Sequence, residues 1–142
     1  MSKKVLVVDD DAQIRESLRK VLSAEGYEVV LAADGQEGIE QFRRHAVGLL
    51  LLDLNLPVTS GWDVFERLTA GNPLVPVIII TGQRHQYDLA AAAGVAAVIE
   101  KPLDVSRLLQ TMSELMDEAP EANLKRLAGV VGQARHVKPK QD

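Results

Sequence analysis

The 142-residue chain contains no cysteine, so it forms no disulfide bond, no thiolate metal site and no cysteine nucleophile. It also lacks a long hydrophobic run. The first apolar stretch, Val5 to Val8, is too short for the core of a signal peptide, and no later stretch approaches the length that crosses a membrane. These absences predict a soluble protein of the cytoplasm with no membrane partner.

The chain also has no excess of basic residues, since its formal net charge is −4. This charge is unevenly distributed. From Ala122 onward there are five Lys or Arg residues and one acidic residue, a local charge of +4, which leaves −8 on residues 1–121. An acidic body gives no general reason to expect nucleic-acid binding by the main part of the chain. Only the basic tail leaves that question open.

The length of the chain fits one compact domain with a short extension. We predict a domain over residues 1–119 and an extension over residues 120–142, because Pro120 ends the last strong helical pattern. In the extension, glycines interrupt a faint helical pattern, and the final residues are basic and include Pro139. We therefore expect the extension to be partly helical and then disordered.

Short apolar runs alternate five times with longer stretches of helical periodicity. Asp11, Asp34 and Asp104 stand where three of the helices should begin, and aspartate is a favoured N-cap residue. Such an alternation predicts an α/β fold, with a doubly wound five-stranded parallel sheet flanked by five helices. The predicted strands cover residues 5–8, 28–32, 47–52, 77–80 and 97–99, and a weak alanine-rich helix is predicted over residues 88–93.

Acidic residues follow two of the predicted strands. Asp9 and Asp10 come after the first strand, and Asp53 comes after the third. In a doubly wound sheet these strands can be neighbours, and ligands bind beyond the carboxyl ends of the strands. Carboxylates that lie close together raise one another's pKa values, and a hard cation relieves their repulsion. Because Mg²⁺ prefers oxygen ligands, the sequence predicts a Mg²⁺ site at this edge.

The loop after the third predicted strand reads Asp53-Leu-Asn55-Leu-Pro57, which puts an exposed carboxylate at the mouth of the sheet. An aspartate beside Mg²⁺ can attack phosphorus and form an aspartyl phosphate. The charge that spreads over the transferring oxygens then needs a cation and a hydrogen-bond donor. Lys101, after the fifth strand, can supply the cation, and Thr81, after the fourth strand, can supply a hydroxyl.

Taken together, these motifs resemble the receiver domain of bacterial response regulators, in the form of a single receiver like the chemotaxis regulators. The resemblance covers about residues 4–117 and implies a flavodoxin-like receiver fold in a two-component phosphorelay. The motifs that carry it are the acidic pair Asp9–Asp10, the Asp53-x-Asn55-x-Pro57 loop with Gly61, the pair Thr81–Gly82 and the pair Lys101–Pro102.

The resemblance implies a role for each acidic residue. Asp53 is expected to be the phosphoacceptor, which takes a phosphoryl group from a sensor histidine kinase or a phosphotransfer protein. Asp10 and Asp53 are expected to bind Mg²⁺ through their carboxylates, Asn55 through its backbone carbonyl, and Asp9 largely through water. The chain is expected to assist its own phosphorylation and dephosphorylation without being a turnover enzyme.

The resemblance also implies how the signal leaves the site. Lys101 should contact the phosphoryl oxygens, and its peptide bond to Pro102 should be cis. Thr81 should move toward the phosphoryl group and reshape the surface formed by the helix predicted over residues 88–93, the fifth strand and the helix that begins after Asp104. An unidentified target protein or a second copy of the chain would bind to this surface. Many receiver domains have Tyr or Phe three residues before the lysine, whereas Val98 stands there in this chain. We therefore expect the output surface to be read by another route.

Other classes of protein fit the residues less well. An aspartate-nucleophile phosphatase typically has Asp-x-Asp after its first strand, whereas here Asp53 follows the third strand and Asn55 replaces the second acid. A dinucleotide-binding domain needs a glycine-rich loop where this chain has three aspartates. The alternatives that stay open are a phosphorylation-independent interaction module of the same fold and the N-terminal receiver piece of a longer transcriptional regulator.

Overall fold

The structure, a computed structural model, describes residues 3–57, 60–82, 90, 93–129 and 134–140. The strands within that part of the chain are β1 Lys4–Val8, β2 Glu28–Ala32, β3 Leu49–Asp53, β4 Val77–Thr81, β5 Ala97–Glu100 and β6 Arg135–Val137. The helices are α1 Ala12–Ala24, α2 Gly35–Arg44, α3 Gly61–Gly71, α4 Val105–Met116 and α5 Glu121–Leu127. Of the helix predicted over residues 88–93, only residues 90 and 93 are described, so that prediction lies outside the described residues.

All six strands form one parallel sheet in the order β2-β1-β3-β4-β5-β6. Residues of α1 and α4 pack on one face of the sheet, and residues of α2 and α3 pack on the other. The predicted doubly wound α/β fold is therefore confirmed. The strand β2 pairs with one side of β1 and β3 pairs with the other, so the direction in which successive strands are added to the sheet reverses between β1 and β3. Open α/β sheets bind ligands at such a switch point, beyond the carboxyl ends of the strands.

The strand β3 lies inside the sheet and is covered on both faces. Successive side chains of a strand point to opposite faces. Leu50 and Leu52 accordingly join the core cluster that contains α2 and α3, while Leu49 and Leu51 join the cluster that contains α1 and α4. All four leucines are fully buried. Burial on both faces fixes the register of β3 and so places Asp53, its last residue, at the carboxyl edge of the sheet.

Three of the helices begin directly after the N-cap residues that the sequence predicts. The side chain of Asp11 accepts hydrogen bonds from the backbone N–H groups of two residues in the first turn of α1. Asp34 does the same for Glu37 in α2, and Asp104 does so for Arg107 in α4. Each cap satisfies backbone donors that have no partner inside the helix. None of the described helices is long and apolar enough to cross a membrane.

The sheet has one strand more than the sequence predicts. Residues 135–137 pair with β5 in parallel register, although the end of the chain was predicted to be disordered. The strand forms because Ala134 and Val137, each 6% exposed, join the two core clusters. Two apolar residues are too few to produce a strand signal in the sequence. The boundary between a domain ending at residue 119 and a separate extension stays a prediction.

Candidate functional site

The carboxyl ends of β1 and β3 bring three acidic side chains together. Val8 pairs with Leu52, so the residues that follow them, Asp9 and Asp53, lie side by side at the switch point. Asp9, Asp10 and Asp53 each offer one carboxylate oxygen, and these three atoms lie within 4.8 Å of one another. The predicted convergence is thus observed, and it is produced by strand register rather than by proximity in the sequence.

Asp9 is buried and only partly neutralised. Its Oδ1 accepts a hydrogen bond of 2.9 Å from the backbone N–H of Asp11. Its Oδ2 is buried without a hydrogen-bond partner among the described residues, and the nearest cation is Lys101 Nζ at 3.7 Å. Burial raises the pKa of Asp9, and the charge of Asp53 raises it further, against the opposing effects of the Asp11 N–H and of Lys101. The folded site therefore disfavours the ionised form of Asp9.

The sequence predicts an exposed carboxylate at Asp53, whereas the residue is only 2% exposed in the structure. Its Oδ1 accepts a hydrogen bond of 2.9 Å from the backbone N–H of Asn55, and its Oδ2 lies 3.3 Å from Lys101 Nζ. Each of the two carboxylate oxygens therefore has a hydrogen-bond donor, one from the following loop and the other from the lysine.

Lys101 and Thr81 come to the same edge from β5 and β4. The backbone N–H of Lys101 donates a hydrogen bond of 2.8 Å to the carbonyl of Thr81, which fixes the two strand ends together. The Lys101 side chain is 27% exposed, whereas Thr81 is fully buried. The peptide bond between Lys101 and Pro102 is cis, as the resemblance implies. All the predicted site residues therefore meet at one edge of the sheet, although their chemical roles stay predictions.

Gly61 lets α3 approach the loop that follows Asp53. A Cβ atom at this position would lie 2.6 Å from Leu54 Cα and 2.7 Å from the carbonyl oxygen of Asp53. Such distances are too short for any side chain, and both neighbouring atoms belong to the backbone. The backbone N–H of Gly61 also donates to the carbonyl of Leu54 at 3.3 Å. The start of α3 thus packs directly against the backbone that positions the Asp53 carboxylate.

Arg15 makes a contact with the site that the sequence does not predict. Its Nη1 donates a hydrogen bond of 2.7 Å to the backbone carbonyl of Asp9. Long side chains near the start of a helix point back toward its N-terminus, and this direction carries the Arg15 guanidinium to the loop after β1. Nothing in the spacing of Arg15 distinguishes it from the other charged residues of α1. The arginine holds the backbone of Asp9, while the carboxylate of Asp9 belongs to the acidic cluster.

The donor set of this edge fits a hard divalent cation. The ligands on offer are carboxylate oxygens, and the unpartnered Oδ2 of Asp9 is the kind of buried acceptor that a cation would satisfy. In the described part of the chain, this is the single group of three acidic or histidine side chains close enough to share an ion. Oxygen-only ligands and more than one carboxylate favour Mg²⁺ over metals that need sulfur or imidazole.

Comparison with known proteins agrees with this geometry. A sequence model described as the response regulator receiver domain matches residues 5–113. The response regulator ArlR of Staphylococcus saprophyticus is 31% identical over 130 residues, which cover 90% of this chain and 59% of that protein. The chain spans only 51% to 59% of the length of the curated relatives ArlR and MprA.

Solved structures show the same fold. A CheY-like response regulator receiver domain protein from Methanospirillum hungatei matches with a TM-score of 0.77 and 33% identity, over 82% of this chain and 95% of that chain. The response regulator TrrA from Thermotoga maritima, in complex with Mg²⁺ and BeF, matches with a TM-score of 0.74 and 28% identity, over 81% of this chain and 99% of that chain.

Proposed function

The chain belongs to the response regulator receiver domain family, and on that basis we propose that Asp53 accepts a phosphoryl group from the phosphohistidine of a sensor histidine kinase or a phosphotransfer protein. The observation that carries the proposal is the contact between Lys101 Nζ and Asp53 Oδ2 at 3.3 Å, in a residue that belongs to the acidic cluster. A carboxylate oxygen beside a fixed cation can act as a nucleophile toward phosphorus, and the cation then shares the charge of the product.

The proposed step is a displacement at phosphorus. One carboxylate oxygen of Asp53 bonds to phosphorus while the phosphorus–nitrogen bond of the donor breaks, and the imidazole leaves with the bonding electron pair and takes a proton from water. Lys101 holds a phosphoryl oxygen, and the hydroxyl of Thr81 donates a hydrogen bond to another. Later hydrolysis returns the carboxylate and inorganic phosphate. The chain therefore acts as a signalling domain that assists its own phosphorylation and dephosphorylation, not as a turnover enzyme.

Mg²⁺ would be held by the carboxylates of Asp10 and Asp53 and by the backbone carbonyl of Asn55, with Asp9 acting largely through water. When bound, the ion neutralises part of the charge on the transferring oxygens. Support comes from the buried Oδ2 of Asp9, which has no hydrogen-bond partner among the described residues. The Thermotoga maritima neighbour, whose structure holds Mg²⁺ and BeF, supports the binding of Mg²⁺ by a domain of this fold.

The output of the switch is proposed to be binding of a downstream protein target in the cytoplasm. A phosphoryl group adds negative charge and three hydrogen-bond acceptors, and it can bias a two-state surface through local contacts. A phosphorylation-independent module is less favoured, because Asp9, Asp53, Thr81 and Lys101 are all retained at one edge. Because the chain spans only part of its curated relatives, the output of a longer regulator and the formation of a homodimer are further proposals.

Intact-mass measurement after incubation with acetyl phosphate and Mg²⁺ tests the proposal. We expect one added phosphoryl group on the unaltered chain, and none on Asp53→Ala or in the presence of a chelator. Asp63→Ala is the matched control, because Asp63 is an exposed aspartate in the first turn of α3 and should leave the reaction unchanged. An adduct on Asp53→Ala would contradict the assigned acceptor. No adduct on the unaltered chain would favour the interaction module.

A further inference from the structure

The end of the chain covers the edge of the sheet next to the proposed phosphoacceptor site. Parallel pairing joins residues 135–137 to residues 97–99, so β6 occupies the edge that β5 would otherwise expose. Unpaired strand edges attract other strands, and pairing or covering an edge is one of the ways in which proteins protect it. Here the cover comes from the same chain and runs from Ala134, buried in the core, to Lys140 at the carboxyl edge.

Two of the contacts of this segment lie on either side of Lys101. His136 Nε2 lies 2.5 Å from Glu100 Oε2, and the backbone N–H of Lys140 donates a hydrogen bond of 2.8 Å to the carbonyl of Pro102. Glu100 precedes Lys101 in the sequence, and Pro102 follows it. Residues 134–140 are therefore attached to both neighbours of the cation that faces Asp53.

The segment is also fixed to α4 and to the residues that follow this helix. Arg135 Nε lies 3.3 Å from Glu114 Oε1, and Arg135 Nη1 lies 3.2 Å from Glu118 Oε1. Val137 is 6% exposed and packs in the same core cluster as Leu108 of α4. These contacts give β6 a fixed position of its own, so its attachment to β5 restrains the strand end that carries Lys101.

We propose that β6 is a positioning element for the phosphoacceptor site, which holds Lys101 within reach of Asp53, and that occupation of Asp53 by a phosphoryl group in turn strengthens the attachment of residues 134–140. This inference rests on the function proposed above. Coupling between two sites is reciprocal, so an element that favours binding of the phosphoryl group must itself be stabilised by that group.

The test uses the full chain with Mg²⁺ and beryllium fluoride, which stands in for the phosphoryl group. Hydrogen exchange of residues 134–140 should slow by about fivefold or more when the mimic binds. Val137→Asp places a charge at a buried position of β6 and should detach the strand. It should weaken binding of the mimic at fixed Mg²⁺ by about fivefold or more. Binding is followed by the fluorescence of Trp62, which comes directly after Gly61 at the start of α3.

Three further variants separate positioning from general stability. His136→Gln keeps a hydrogen-bonding group for Glu100 and should bind the mimic as the unaltered chain does, whereas His136→Ala should bind it more weakly. Lys138→Ala removes one exposed cation of the same segment and should leave both readouts near those of the unaltered chain. If Val137→Asp fails to fold, the comparison between His136→Ala and His136→Gln carries the test.

The outcomes distinguish this inference from the proposed function. Equal affinity for the mimic in the unaltered chain, Val137→Asp and His136→Ala, or unchanged exchange of residues 134–140 on binding, would overturn the role of β6 and leave phosphorylation of Asp53 intact. Failure of the unaltered chain both to bind beryllium fluoride and to gain a phosphoryl group from acetyl phosphate would overturn the proposed function and this inference together.

Discussion

Lys101 balances two buried carboxylates, and its replacement by alanine should destabilise the metal-free protein. At an effective dielectric constant of about 20, unit charges attract by about 5 kcal/mol at the 3.3 Å that separates Lys101 from Asp53, and by about 4.5 kcal/mol at the 3.7 Å that separates it from Asp9. Asp9 and Asp53 repel each other by about 3.5 kcal/mol or more, because their carboxylate oxygens lie within 4.8 Å of each other. Because the lysine side chain is 27% exposed, solvent screening and the desolvation of Lys101 itself offset much of this attraction. We expect a net loss of about 1–3 kcal/mol at pH 7.

The loss should depend on pH in a defined direction. Burial, followed by the charge of Asp53, raises the pKa of Asp9 above its ordinary value of 3.8, whereas Lys101 lowers it. The folded state therefore binds a proton at pH values where the unfolded chain has released it, and stability falls as the pH rises from 3.8 through the raised pKa. Removing Lys101 raises the pKa of Asp9 further. The deficit of the variant should therefore be smallest below pH 3.8 and should grow to its full size above the raised pKa.

Urea unfolding in the presence of a chelator, from acid to neutral pH, measures this deficit directly. The control is Lys125→Ala, which removes an exposed lysine from α5 and should cost little at any pH. Added Mg²⁺ should stabilise Lys101→Ala more than the unaltered chain, because the ion takes over the balance of charge. Equal free energies of unfolding for Lys101→Ala and the unaltered chain at pH 7 without metal would refute the electrostatic reasoning.

Two further substitutions test the surroundings of the site. Gly61→Ala should lower the free energy of unfolding by about 1–3 kcal/mol, because its Cβ would clash with the backbone of Leu54; Gly71→Ala, on the same helix with nothing within 4 Å of the new Cβ, should be neutral or mildly stabilising in the same urea experiment. An equal cost at both glycines would contradict the steric argument. Asp9→Asn should stabilise the metal-free protein at pH 7 because it removes a charge that burial disfavours, and calorimetry should show weaker Mg²⁺ binding. Lower stability of this variant without metal would count against the assigned cause of the pKa shift.

The residues of the site could be predicted from the sequence because the ends of the strands determine where these residues lie. Alternating apolar runs locate the strands, and in a parallel sheet the residue after each strand lies at the carboxyl edge. Asp9, Asp53, Thr81 and Lys101 come from four different strands, yet that single rule brings them together. The order of the strands is not written in the spacing, and it is the adjacency of β1 and β3 that brings Asp9 to Asp53.

What the sequence did not predict depends on contacts between distant residues. Asp53 is buried, and its carboxylate contacts the side chain of Lys101 and the backbone N–H of Asn55; no local pattern in the sequence reports the burial or either contact. The hydrogen bond from Arg15 to the carbonyl of Asp9 depends on the direction of one long side chain at the start of α1. The strand β6 has only three residues and forms because β5 offers a free edge beside it. Tertiary context decides the conformation of such short segments.

Val98 stands where many receiver domains have an aromatic residue, and it lies on the strand that pairs with the additional strand β6. A valine has no ring that could swing between an inward and an outward position, and Val98 is 1% exposed within the core cluster that contains α2 and α3. Its register partner on the next strand is His136 of β6. A change that travels along β5 from Lys101 therefore meets a buried side chain and a paired strand edge rather than a mobile aromatic ring. If the signal leaves the site by this side of the sheet, the element able to carry it is β6, and substitutions at Val137 and His136 are the ones that should change it.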